Sequence, residues 1–199
     1  MVEREVYLTY VKCAMIFTAC VSNIFAVKSL TFWGLHETAA LIMFPLCYCM
    51  QDIIAELCEI KTLVRCVLIT YVLQIAVYIL AFVAVRLPGD PGTEVMAEAF
   101  GMVFSAVPRV ILASFCAYLV GAIANGAVMH TLPSDKMSFK LRAFLSTIVG
   151  EFLDTWVFLA VMGIAVDYQN ALKVAGMKIM TEVAILPITD YIKRRIEVC

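Results

Sequence analysis

The stretch TLVRCVLITYVLQIAVYILAFVAVR, residues 62–86, carries no charged residue between Arg65 and Arg86. A hydrocarbon core of ~30 Å needs about 20 mostly apolar residues in helical form, and this run has that length. Five more segments read the same way, at about 6–30, 38–58, 99–129, 143–166 and 171–192. The fold expected is therefore all-α: a polytopic membrane protein whose residues 1–199 form one domain of six transmembrane helices. The first run is longer than the ~7–15-residue apolar region of a signal peptide, and no small-residue cleavage site follows it, so it too is expected to remain as a helix.

Composition agrees with that reading. Of the 199 residues, 63% are hydrophobic and 16% charged, and the mean hydropathy is +0.95. Soluble domains average ~45–50% apolar and ~25% charged. A net charge of −1 argues against a nucleic-acid partner, which calls for a basic stripe to track phosphates. Eight cysteines lie mostly in or beside apolar runs, and Cys47 and Cys49 have neither redox nor zinc-knuckle spacing, so they read as free thiols packing as small hydrophobes. With only His36 and His130 present, no metal site or other cofactor is expected.

Short polar joints separate the spans, at 34–37, 59–61, 87–94, 131–140 and 167–170; the cluster Pro88-Gly-Asp-Pro-Gly92 is a strong helix stop. Arg4, Lys61, Arg65, Lys136, Lys140, Arg142, Lys193, Arg194 and Arg195 fall at the two termini and the even-numbered joints. Arg86 lies at an odd-numbered joint beside Asp90, Glu94 and Glu98. By the positive-inside rule both termini are cytoplasmic. Asn23 to Val27 and Asn125 to Val128 share Asn, Ala and Val at similar spacing, and spans two and five each carry two acids one turn apart. This suggests two three-helix halves, the inverted repeat that places a substrate site near the midplane.

Ionisable side chains inside hydrocarbon cost roughly 2.5–3.5 kcal/mol each on insertion scales, so they must pair or face water, and they mark pathways. Lys12, Lys28, Asp52, Glu56, Arg109, Glu151, Asp154, Lys178 and Glu182 all lie in or near the spans. Asp52 and Glu56 share a helix face beside Gln51; Thr147, Glu151 and Asp154 make a stripe at i, i+4, i+7. Arg109 follows Pro108, expected to bend the fourth span, with Ser105 on its face. Bland readings stand beside these: a Lys178–Glu182 ion pair, a snorkelling Lys12, Asp52 and Glu56 solvated at the cytoplasmic margin, a structural Arg109–Asp154 pair, and an interfacial role for Phe32–Trp33 and Trp156–Phe158. Glu151 and Asp154 resist such a reading most, because their surroundings are apolar in both directions. No G-x-S-x-G, H-E-x-x-H or phosphate-loop motif is present, nor an aspartyl-protease context, so an enzyme is not expected.

The polar positions in order are Asn23-x-x-Ala-x-Lys28, Phe44-Pro45, Asp52-x-x-x-Glu56, Pro108-Arg109-x-x-x-x-Ser114-Phe-x-Ala-Tyr118, Arg142-x-x-x-Ser146-Thr147-x-x-x-Glu151-x-x-Asp154-Thr155, Lys178 and Pro187. This pattern resembles the queuosine-precursor transporter family, also labelled vitamin-uptake-type membrane proteins, over nearly the whole chain. The resemblance implies a six-helix bacterial inner-membrane importer of deazaguanine bases, precursors or queuine, used for tRNA modification. It also implies a stand-alone carrier with a fold like that of the small binding subunits of ATP-driven systems. Glu59 stands where the family often has glycine, and Glu151 where an amide is common. The residues themselves suit such a guest. A guanine-like edge offers adjacent donors to a carboxylate of Asp52, Glu56, Glu151 or Asp154, while Asn23, Arg109 and Lys178 supply donors; Ser114 and Thr147 complete the candidate set. A pocket among spans one, two, four and five is expected. The rivals are a binding subunit that needs a separate ATPase, and a non-transporting membrane scaffold. Preferred base, coupling and oligomeric state, a homodimer included, stay open.

Overall fold

The computed structural model describes residues 2–32, 35–105, 108–163 and 168–198. Seven α-helices lie among them: α1 (Val2–Phe25), α2 (Phe44–Leu57), α3 (Ile60–Ala84), α4 (Glu94–Ser105), α5 (Pro108–Thr131), α6 (Phe139–Met162) and α7 (Tyr168–Val198). The expected helical membrane architecture is present, with one departure from all-α. Strands β1 (Ser29–Phe32) and β2 (Leu35–Thr38) pair antiparallel, Ser29 opposite Thr38, where the sequence reading placed the end of one span and a polar joint.

Among the described residues, four segments are long and apolar enough to cross a membrane: Glu3–Phe25 of α1, all of α3, Ile111–Thr131 of α5, and all of α6. The segment read as span two is a 3-10 turn, Ala39–Ile42, followed by α2, which has Pro45 in its first turn. Fourteen helical residues reach only ~21 Å, so α2 alone is shorter than the ~30 Å hydrocarbon core. It is also enclosed: Cys47, Tyr48, Cys49, Gln51, Asp52, Ile53, Ile54 and Ala55 are all buried. The segment read as span four contains the described helices α4 and α5; residues 106 and 107 lie outside the described residues, and with them the expected bend at Pro108. At 31 residues α7 is amply long, but it carries Lys178, Glu182 and Asp190 on buried or part-buried faces.

Helices α5 and α6 approach closely because both are glycine at the crossing. A Cβ on Gly121 would lie 3.0 Å from the Gly150 carbonyl oxygen, and one on Gly150 would lie 3.1 Å from that of Gly121. Small residues at such crossings let membrane helices gain packing contacts that the hydrophobic effect cannot supply in lipid. Gly163 ends α6 in the left-handed conformation, φ 64°, with its N–H on the Ala160 carbonyl. A core of Met15, Cys47, Ile53, Ile54, Leu63, Val67, Met129 and Ile196 lies between α1, α2, α3, α5 and α7. Leu68, Ile69, Val72, Leu73, Ile79, Leu80 and Phe82 of α3 are exposed on the outside, as a lipid-facing surface requires.

The basic residues of the termini and the even-numbered joints gather at one end of the bundle. Lys193 near the end of α7 reaches Glu56 at the end of α2 (3.5 Å) and lies 5.1 Å from the Phe139 ring centroid at the start of α6. Arg142 donates to the Met129 carbonyl near the end of α5, and Cys58 sits beside Arg4, Glu5 and Lys12 of α1. Both termini and the 59–61 and 131–140 joints therefore share this end.

Candidate functional site

Two buried polar regions lie side by side in the bundle, one neutral and one charged. The neutral region is a cavity of about 20 Å³ between α1, α3 and α5. That is room for a water molecule and little more. Ser22 and Asn23 reach it from α1, Thr70 and Gln74 from α3, and Ser114 and Tyr118 from α5. The Tyr71 and Phe115 rings at its wall stack with centroids 3.7 Å apart, and Phe44 of α2 closes one side. Several polar groups are already committed to backbone: Ser22 Oγ donates to the Ala19 carbonyl (2.8 Å), as does Gln74 Nε2 (3.1 Å), and Thr70 Oγ1 donates to that of Cys66 (2.9 Å). Asn23 Oδ1 is different. It is buried and has no hydrogen-bond partner among the described residues. Buried polar atoms are nearly always satisfied, so an acceptor held open at a cavity marks a place for a donor.

The charged region begins on the far side of Phe44. Lys178 of α7 passes 5.1 Å from the Phe44 ring centroid, and its Nζ lies between two acids of α6: 3.1 Å from Glu151 Oε2 and 3.0 Å from Asp154 Oδ2. The i, i+3 spacing of those acids places both on the face that meets α7. Tyr48 stands between the regions, edge-on to Tyr118 at 6.2 Å, with its buried Oη unpartnered among the described residues. Glycine at position 121 is what admits it, since a Cβ there would lie 3.2 Å from Tyr48 Oη.

Further along α2, Asp52 Oδ1 accepts from Asn125 Nδ2 of α5 at 3.0 Å, while Thr147 of α6 donates to Glu182 Oε1 of α7. One turn nearer the basic end, Glu56 pairs with Arg142 and Lys193, and Lys193 also with Glu197. Asp190 there meets Lys140 (3.4 Å) and Arg194 (3.2 Å).

The candidates named from sequence thus fall into four places. Asn23 and Ser114 line the cavity, and Glu151, Asp154 and Lys178 form the ion cluster. Asp52 and Thr147 each hold a partner in the buried layer below, and Glu56 belongs to the basic end. The Arg109 side chain lies outside the described residues, and with it the proposed Arg109–Asp154 pair. Two expectations change. Glu182 does not pair with Lys178; the cation turns toward α6, where two carboxylates attract it instead of one. The cavity draws on α3, through Thr70, Tyr71 and Gln74, which the expected pocket of spans one, two, four and five left out. Gln74 and Asn125 went unrecognised as site residues, yet a lone amide inside an apolar span is a readable signal, because burying it without a partner is costly. Among the described residues no cluster of His, Cys, Asp and Glu is arranged to hold a metal, and seven cysteines are free thiols.

The family model described as "Putative vitamin uptake transporter" matches residues 38–192, which include α2 to α6 and most of α7. No curated protein and no solved structure matches the chain.

Proposed function

This chain belongs to the vitamin uptake transporter family, and from that premise we propose that it imports a flat, hydrogen-bonding base, a deazaguanine precursor of queuosine or queuine itself, across a bacterial inner membrane. The observation that carries this reading is the pairing of an open buried acceptor, Asn23 Oδ1, with stacked aromatic walls, next to a buried carboxylate pair held by one lysine. A purine-like ring asks for a flat slot and a few convergent polar groups. Asn23 accepts one ring or amino N–H, and Gln74 and Ser114 address the remaining edge. The donor edge of the base then competes with Lys178 for Asp154 or Glu151. Arg109, on the same helix as Ser114, is the proposed counter-charge of the empty pocket.

The cavity is too small for a base as it stands, so binding requires the helices around it to part. In an alternating-access cycle the pocket opens first to the outer face and then to the basic end, which the positive-inside rule places in the cytoplasm. All six expected spans take part, α2 crossing with the 3-10 turn before it and α7 crossing with its charges turned inward. No nucleic acid takes part, and the tRNA is modified downstream.

In a strain unable to make queuosine and supplied with queuine, the wild-type protein should restore tRNA modification and Asp154→Asn should not. Undiminished modification with Asp154→Asn removes that carboxylate from the mechanism. Uptake by the protein expressed alone separates a carrier from a subunit that depends on a partner ATPase.

A further inference from the structure

Asp52 and Glu182 differ from every other buried acid described in this bundle. Glu151 and Asp154 share Lys178, Glu56 has Arg142 and Lys193, and Asp190 has Lys140 and Arg194. Asp52 and Glu182 have each other: their carboxyls lie within hydrogen-bonding reach across the α2–α7 contact. Both are almost wholly buried. One oxygen of each is held by a neutral donor, Asn125 for Asp52 and Thr147 for Glu182. The other oxygens, Asp52 Oδ2 and Glu182 Oε2, have no partner among the described residues.

Two bare carboxylates cannot rest in contact away from water, since the repulsion is unscreened and neither has a cation among the described residues. A proton on one oxygen turns that repulsion into an O–H···O hydrogen bond. We propose that Asp52 and Glu182 form a proton-binding site that couples proton entry to import of the base; this rests on the carrier reading above. With the proton bound, α2 and α7 stay together. When it leaves, two like charges drive them apart, so occupancy of the site selects between two arrangements of the bundle. The step breaks and makes only an O–H bond: a proton from the outer aqueous phase binds one carboxylate oxygen and is later released to cytoplasmic water.

Among the described residues, the groups facing the pair do not supply an alternative counter-charge. Glu56 lies one turn along α2, about 6 Å away by helix rise, toward the basic end. Glu151 of α6 adds a further negative charge to the surroundings of Glu182, and the neighbouring Cys47 and Cys49 are thiols. Asn125 and Thr147 are neutral. Lys178 is engaged by α6, and Lys12 of α1 lies by Cys58 and Cys66. Helix α3 has its charged residues, Lys61 and Arg65, exposed at the basic end.

The test uses purified full-length protein in liposomes, with radiolabelled queuine as the probe and an imposed inside-alkaline pH gradient. Wild type should concentrate the base about tenfold per pH unit, for one proton per base. Glu182→Gln should let the base equilibrate only, an accumulation ratio of about one, because an amide cannot release the proton. Asp52→Asn repeats the comparison should the first variant fail to fold. Independently of any base, the infrared carbonyl band of a protonated carboxyl should be present in wild type and lost in Glu182→Gln. Wild-type uptake indifferent to the pH gradient, or driven by sodium instead, overturns the proposal, as does gradient-driven accumulation by Glu182→Gln. No saturable wild-type uptake sinks the carrier reading itself; the infrared band then decides alone whether the pair holds a proton, and its absence overturns the site.

Discussion

The cavity side of the bundle and its α6–α7 side bury polar groups by opposite means. Around the cavity, α1, α3 and α5 present neutral groups, several of them tied to nearby carbonyls, with Asn23 Oδ1 left open. Between α6 and α7 full charges are buried, and one lysine serves two acids. The neutral side can lose a hydrogen bond at modest cost, about 1 kcal/mol net. The charged side cannot lose a partner without stranding an ion, which costs about 3–5 kcal/mol. Recognition of a neutral base suits the first, because its groups can exchange partners cheaply. A change of conformational state suits the second, because small shifts there carry large energies.

The strongest way to break this contrast is Lys178→Met. It leaves Glu151 and Asp154 adjacent without their shared cation and should destabilise the protein by about 3–5 kcal/mol. A large fall in melting temperature in detergent, with uptake abolished, is the expected result; a protein as stable as wild type would mean that the charged side is not buried as described. Gln74→Leu probes the neutral side. It removes the donor to the Ala19 carbonyl, which keeps Ser22 Oγ, so stability should fall by only about 1 kcal/mol while KM for the base rises roughly tenfold. An unchanged KM would take α3 out of the recognition surface. The smallest effect belongs to the basic end. Lys140 is half exposed and its contact with Asp190 is screened by water, so Lys140→Ala should cost less than about 1 kcal/mol and leave uptake unchanged. A loss of uptake there would extend the functional charge network to the margin of the bundle.

Most of what concerns the backbone was legible in the chain. The uncharged run from 66 to 85 is a helix because a mostly apolar stretch of that length satisfies its peptide groups internally in lipid as a helix. The stop at Pro88–Gly92 and the gathering of lysine and arginine at alternate joints were readable for similarly local reasons. The strand pair Ser29–Phe32 and Leu35–Thr38 was not, because the first reads as the end of a span and the second as a polar joint, and neither names its pairing partner.

Among the site residues, spacing identified which ones share a face but not what stands opposite. The i, i+4 relation of Lys178 and Glu182 made a local pair plausible, yet Lys178 meets α6 and Glu182 meets α2 and α6. The sequence by itself determined that this is a helical membrane protein, with ionisable groups too deep in its spans to be incidental, because hydrophobic length and the cost of burying charge are properties of each segment alone. Only the tertiary structure decided the partners: one lysine for two acids of α6, and two carboxyls left facing each other across α2 and α7. Partner choice is set by which helix faces are brought into contact, and that depends on packing, such as the Gly121–Gly150 crossing, rather than on any spacing within a single helix.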